Sequence, residues 1–234
     1  MRHFQDQLAM LLQKVVVMGS LAEDMIHTAA QILAKQAEKL SADVYSKEQR
    51  VNALQVEVDD LAVTLTALNQ PVARDARFLF MVSRIAGELE RIADQAINIC
   101  QNSHFVLAPS QPQVDMPQAG LADISVMAEV AQKMVRDSLT AMMNKDVALA
   151  DRVLADDEQV DGFRDRIFRS LLTHMMENPG TIQRAMSMIL IARNLERIAD
   201  HATNIGEEVI YWIQGRDVRH TKGLTQQPRK QNHP

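Results

Sequence analysis

Glu90 and Asp94 stand four residues apart inside ELERIADQAINI, residues 88–99, and Glu196 and Asp200 repeat the pair inside NLERIADHATNI, residues 194–205. From the Leu to the closing Ile of each string, nine of eleven positions are identical. A hydrophobic core dictates the apolar letters only, so the repeated Glu, Arg, Asp and Asn need another reason. Carboxylates at i and i+4 share one face of a helix, where like charges destabilise it by about 0.2–0.5 kcal/mol. A surface built for solubility alone would set Lys four residues after Glu. Paired carboxylates suit a cation instead, and oxygen ligands favour magnesium, manganese or iron. The competing reading is a solvated acidic face, with Arg91 and Arg197 pairing to Asp94 and Asp200 at i,i+3.

A second helix adds donors to each pair. Glu48 and Asn52 are also four apart, in EQRVN, and their duplicates are Asp157 and Asp161 in DDEQVD. Counting from the turn near residue 70, Asn52 lies about 18 residues back and Glu90 about 20 forward. At about 1.5 Å rise per residue, antiparallel helices bring the two pairs to similar height. The second half gives the same result around residue 178. Each half should therefore present one carboxylate-rich patch fed by two helices: Glu48, Asn52, Glu90 and Asp94 in one, Asp157, Asp161, Glu196 and Asp200 in the other.

Other chemistry is poorly supported. Di-iron carboxylate enzymes need Glu-x-x-His on inward helix positions, and no Glu here precedes His at i+3. His201 replaces Gln95 between the copies and reads as a surface residue. His27 and His174 read as partly buried edges of the core. Cys100 aligns with Gly206, which argues against a duplicated nucleophile. No glycine-rich phosphate loop and no Gly-x-Ser-x-Gly is present. The helically spaced methionines, such as Met134, Met142 and Met188, read as core filler.

The elements that must position these residues are helices. Apolar residues make up 47% of the 234 and aromatics 4%, with only eight glycines, a palette for packed helices rather than sheets. Sliding the chain by 109 residues lays 37–52 on 146–161; beyond the next turn the offset is 106. The chain is thus a tandem duplication of roughly a hundred residues. The periodicity predicts helices over 7–36, 38–68 and 73–105, then 121–144, 146–177 and 181–214. Pro71 and the ENPGT segment mark breaks, and Thr181 is the expected N-cap of the last helix. Phe78, Val82, Ile85, Leu89, Ile92, Ala96 and Ile99 form a seam with steps of four and three, repeated from Met188 to Val209. The expected fold is all-α, with two three-helix bundles over 5–106 and 121–214. A Pro-rich linker spans 107–120, and a disordered basic tail follows from 215.

A net charge of −5 gives no footprint for nucleic acid. One cysteine fits a reducing compartment. No signal-like segment and no run long enough to span a bilayer is seen, so the chain reads as cytoplasmic.

LERIADQAINI and LERIADHATNI, EQRVN and DEQVD, QPVARDARF and the late GRDVRH together resemble the PhoU family of phosphate-transport accessory proteins, in the right order over roughly 5–220. The resemblance implies pseudo-twofold bundles carrying surface metal clusters, of iron or zinc in several relatives. The matching positions are Glu90/Asp94, Glu196/Asp200, Glu48/Asn52 and Asp157/Asp161. It further implies a non-enzymatic adaptor that keeps the phosphate-starvation response off. Such an adaptor would contact the ATPase subunit of the phosphate ABC transporter and the PAS region of a sensor histidine kinase, and would form a homo-oligomer, expected to be a dimer. The family's usual ERIGD reads ERIAD here, at Ala93 and Ala199. Asn52 in place of an acid should make the first patch the weaker one. The readings from other classes are a metal-dependent hydrolase and a metal-storage bundle.

Overall fold

A computed structural model describes residues 2–35, 38–108 and 117–219. Residues 109–116 of the expected linker and 220–234 of the expected tail lie outside the described residues. Six helices follow in order: α1 (Arg2–Lys35), α2 (Ser41–Asn69), α3 (Ala73–Leu107), α4 (Gln118–Asn144), α5 (Val147–Glu177) and α6 (Ile182–Gln214). Short 3-10 turns, Glu38–Leu40 and Pro179–Thr181, precede α2 and α6.

The hairpin ends have local causes. Gln70 and Lys145 close α2 and α4 in the left-handed region, at φ 45° and 56°, ending each helix within one residue. Asp146 caps α5 by accepting from the Leu149 N–H at 3.0 Å, a cap that supports the helix by about 1 kcal/mol. Gly215 ends α6 at φ 66°, where a Cβ would be strained, and its N–H donates to the Tyr211 carbonyl at 2.8 Å. Thr181 stands at the N-cap position of α6, as expected, but its side chain makes no capping bond. Its hydroxyl donates backward to the Asn178 carbonyl at 2.7 Å, because the residue also closes the 3-10 turn.

Helices α1–α3 form one bundle and α4–α6 the other. The predicted seam of α3 is buried along its length, as is that of α6. A second buried stripe runs beside each seam: Ala86, Ala93 and Cys100 on α3, and Ala185, Ala192, Ala199 and Gly206 on α6. At Gly206 its use is explicit, since a Cβ there would meet Leu154 Cδ1 of α5 at 2.8 Å.

The two bundles share one core. No helix pair packs more extensively than α3 with α6, which belong to different bundles. They run antiparallel, from Arg184 Nε donating to the Val106 carbonyl at 3.0 Å to Phe78 tilted against Trp212 at 5.4 Å between ring centroids. α1 crosses α4 beside them. Gly19 lies so close to Leu139 that a Cβ would sit 2.2 Å from its Cδ1, and Arg136 pairs with Glu23 at 2.8 Å. Buried side chains from all six helices accordingly make one continuous cluster.

Candidate functional site

The first patch forms where α2 and α3 lie side by side. Glu48, Asn52 and Glu90 are half-buried, and Asp94 is exposed one turn beyond Glu90. Burial pushes the Glu90 carboxyl above its ordinary value, and the charges of Asp94 and Glu48 push it further, against Arg91 and His201. That coupling between Glu48 and Glu90 realises the matched heights counted from the turn. Asn52 Nδ2 donates to Glu48 Oε1 at 2.5 Å, while Asn52 Oδ1 is shut off from solvent with no partner. Arg91 leaves Asp94 aside and pairs with Glu88 Oε1 at 3.2 Å.

The second patch is arranged differently. Arg164, on α5, donates from Nη1 to Glu196 Oε1, and the same nitrogen lies 3.2 Å from Asp161 Oδ1. Its Nη2 and Nε hold Asp165 Oδ1 at 2.9 and 3.1 Å. Hydrogen bonds donated to Asp165, against desolvation, and to Glu196 raise the guanidinium further above its already high range. Asp157 is half-buried and Asp200 exposed. In the duplication Arg164 falls on Gln55, a neutral residue.

Among the described residues, no group of three or more His, Cys, Asp or Glu side chains is placed as a ready-made metal cage. The two patches fit a cation unequally. In the first, the oxygen donors and the unpartnered Asn52 Oδ1 fit one. In the second, a guanidinium already lies between Asp161 and Glu196.

A polar layer absent from the sequence expectations lies between α3 and α6. His201 is no free surface residue: its Nδ1 sits 2.7 Å from Glu88 Oε2, and both side chains are largely buried. Asn204 Nδ2 donates to the same oxygen at 3.0 Å. One to two turns along α3, Arg84 donates to Glu208 Oε1 at 2.6 Å, and Glu208 is only 7% exposed in its side chain. Arg219, just beyond α6, approaches that oxygen at 3.4 Å and stacks over Tyr211. The first residues after Gly215, expected to begin a disordered tail, thus turn back onto the seam. Glu88 opens the first quoted string, but its duplicate is Asn194, so the repeat gave no sign of it.

The remaining candidates are quieter. His27 is exposed beside Gln31 rather than at a core edge, whereas His174 is half-buried with Nε2 unpartnered. Cys100 is buried, and desolvation pushes its thiol up to about 12, which leaves essentially no thiolate for nucleophilic chemistry at neutral pH.

The Glu88 contact predicts a pH effect. Burial pushes that carboxyl up, but the hydrogen bonds from His201 and Asn204, with the charges of His201 and Arg91, prevail, and it sits below its ordinary value. A depressed carboxyl stabilises the fold above its unfolded value, and the contribution is lost as the pH falls through the folded one. In His201→Ala the burial remains without its main compensation, so the Glu88 carboxyl should titrate higher by side-chain NMR. An unchanged midpoint would show that His201 does not hold it.

Comparison with known proteins follows the same duplication. The family model described as the PhoU domain matches residues 15–103 and 124–209, one match in each bundle. The chain is 34% identical over 215 residues to a protein of Zymomonas mobilis named phosphate-specific transport system accessory protein PhoU homolog, covering 92% of this chain and 88% of that one. It is 30% identical over 220 residues to the phosphate-specific transport system accessory protein PhoU of Escherichia coli, covering 94% and 89%. The crystal structure of PhoU from Pseudomonas aeruginosa superposes with a TM-score of 0.84 at 31% identity, over 91% of this chain and all of that one. A PhoU structure from Streptococcus pneumoniae, at 23% identity, shares the fold with a TM-score of 0.82, over 92% of this chain and 99% of that one.

Proposed function

The chain belongs to the PhoU family, and on that premise we propose that it is an accessory protein of a phosphate-specific transport system, acting as a non-enzymatic cytoplasmic adaptor. It represses the phosphate-starvation response by coupling the ATPase subunit of the phosphate ABC transporter to the PAS region of a sensor histidine kinase, and it works as a homodimer. The observation that carries this reading is the family match to both repeats, together with full-length relatives named for phosphate transport. Supporting it, no helix among the described residues is long and apolar enough to cross a membrane, so contact with membrane partners falls to the bundle surfaces.

A metal ion (iron, zinc, manganese or magnesium) belongs to this proposal. Glu48, Asn52, Glu90 and Asp94 would hold it on the first bundle. Bound there, it would offset the mutual repulsion of those carboxylates. The charge coupling of Glu90 to Asp94 and Glu48 and the unpartnered Asn52 Oδ1 support it.

The test is alkaline phosphatase activity in phosphate-replete cells. Deletion of the gene should raise it many-fold, and the intact chain should restore silence. Unchanged activity in a host without a second copy would reject the repressor role.

A further inference from the structure

The two patches descend from one sequence, yet the second carries a cation of its own. Arg164 stands where the first copy has Gln55, and its Nη1 donates to Glu196 Oε1 while lying 3.2 Å from Asp161 Oδ1. Those two residues duplicate Glu90 and Asn52. A metal ion using them would have to occupy the space the guanidinium fills, beside a positive charge that no accessible pH removes. Asp165 also holds the guanidinium, through Nε and Nη2. Gln55 sits at the corresponding place on α2, its Nε2 3.9 Å from where a Cβ on Gly87 would lie, one turn before Glu90. It brings no charge.

Counting charges gives the same direction. Asp157, Asp161, Glu196 and Asp200 with Arg164 sum to −3. Glu48, Glu90 and Asp94 sum to −3 with Asn52 neutral. At the duplicated positions Arg164 thus offsets the extra acid of the second patch, while Asp165, which also pairs with it, lies outside the duplicated set.

We propose that Arg164 is the resident cation of the second bundle and closes its patch to metal, so that the protein loads metal on the first bundle alone. The proposal rests on the metal reading given above for Glu48, Asn52, Glu90 and Asp94. It makes the single residue at the Gln55/Arg164 position the determinant of which half carries an ion.

The test is equilibrium dialysis of the full chain against Mn²⁺, with bound metal counted per chain and helical circular dichroism confirming each variant. Wild-type binding should vanish in Glu90→Gln/Asp94→Asn and stay unchanged in Glu196→Gln/Asp200→Asn. Arg164→Gln should about double the bound Mn²⁺, and Glu196→Gln/Asp200→Asn should abolish the gain. Gln55→Arg should empty the first bundle, which keeps the proposal testable should Arg164→Gln fail to fold. Wild-type protein that loses half its Mn²⁺ in Glu196→Gln/Asp200→Asn would overturn the proposal while leaving the first patch a metal site. Wild-type protein that binds none, with an Arg164→Gln variant that gains Glu196-dependent binding, would overturn the first-patch reading and uphold Arg164 as the closing residue. No Mn²⁺ on either protein would overturn both.

Discussion

Leu89→Ala should lower the stability of the whole protein by about 3 kcal/mol, within the roughly 2–5 kcal/mol range of Leu→Ala changes in well-packed cores. Leu89 is 0% exposed and lies in the middle of the α3 seam, inside the first LERIAD. The seam residues one turn either side, Ile85 and Ile92, are equally buried, so neighbours can collapse only partly into the space left. In a chain of this size each kcal/mol moves Tm by about 2–4 °C, and the expected fall is about 6–12 °C. Leu195→Ala, the duplicate change at a site 1% exposed, should cost a similar amount.

The form of the transition is the more telling result. α3 packs against α6 of the other bundle more than against either single helix of its own, so damage in one half is felt in both. Calorimetry should show one peak in wild type and variant, displaced as a unit. Two separated peaks in Leu89→Ala, with the α4–α6 half melting at its original temperature, would mean that the shared core does not couple the bundles.

Arg84→Ala should cost roughly 2–3 kcal/mol, an effect far larger than that of an ordinary surface ion pair at about 0–1 kcal/mol. The difference lies in Glu208. Its side chain is 7% exposed, against 39% for Arg84, and its Oε2 is buried with no partner. Removing Arg84 leaves a buried side chain whose one other ion-pair partner among the described residues is Arg219, at 3.4 Å. Breaking a fully buried pair costs about 3–5 kcal/mol; the partial exposure of Arg84 reduces that, because water can enter the vacated space. Glu208→Gln, which keeps the shape and removes the charge, should cost less than Arg84→Ala. Urea unfolding reads both, as a shift in midpoint without change of slope. An Arg84→Ala midpoint within about 0.5 kcal/mol of wild type would place the pair among ordinary surface contacts. A double-mutant cycle with Glu208→Ala isolates the coupling.

Leu89 lies on the seam that the apolar spacing predicts, whereas Arg84 and Glu208 pair where the sequence was least informative, and the reason is geometric. A helix at the edge of a bundle buries one stripe, and its period stands out. α3 and α6 each meet their own bundle and each other, so they bury more than one stripe, and the additional ones carry mixed residues. The small stripe of Ala86, Ala93 and Cys100, matched by Ala192, Ala199 and Gly206, recurs every seven residues beside the seam, a spacing that the sequence expectations leave out. It reads as extra burial only once a second packing partner is expected.

What the sequence by itself determined was everything carried by short-range period and by repetition. Six helices, their breaks at Pro71 and around Pro179 and the all-α duplication followed from apolar spacing and the doubled LERIAD string, and the family from the resemblance of the whole set of motifs. The neighbourhood of Glu48 and Glu90 followed too, because equal counts from one turn fix equal heights on antiparallel helices. Only the tertiary structure decided the rest. Glu88 meets His201 across 113 residues and Arg84 meets Glu208 across 124, separations at which no local pattern records a pairing. The side to which a long arginine turns is likewise set by what stands opposite it. Arg91 reaches back to Glu88 on its own helix, and Arg164 crosses to Glu196 on the next. From their letters both read as surface charges; from their neighbours, one borders a seam between bundles and the other fills a patch that its duplicate leaves open.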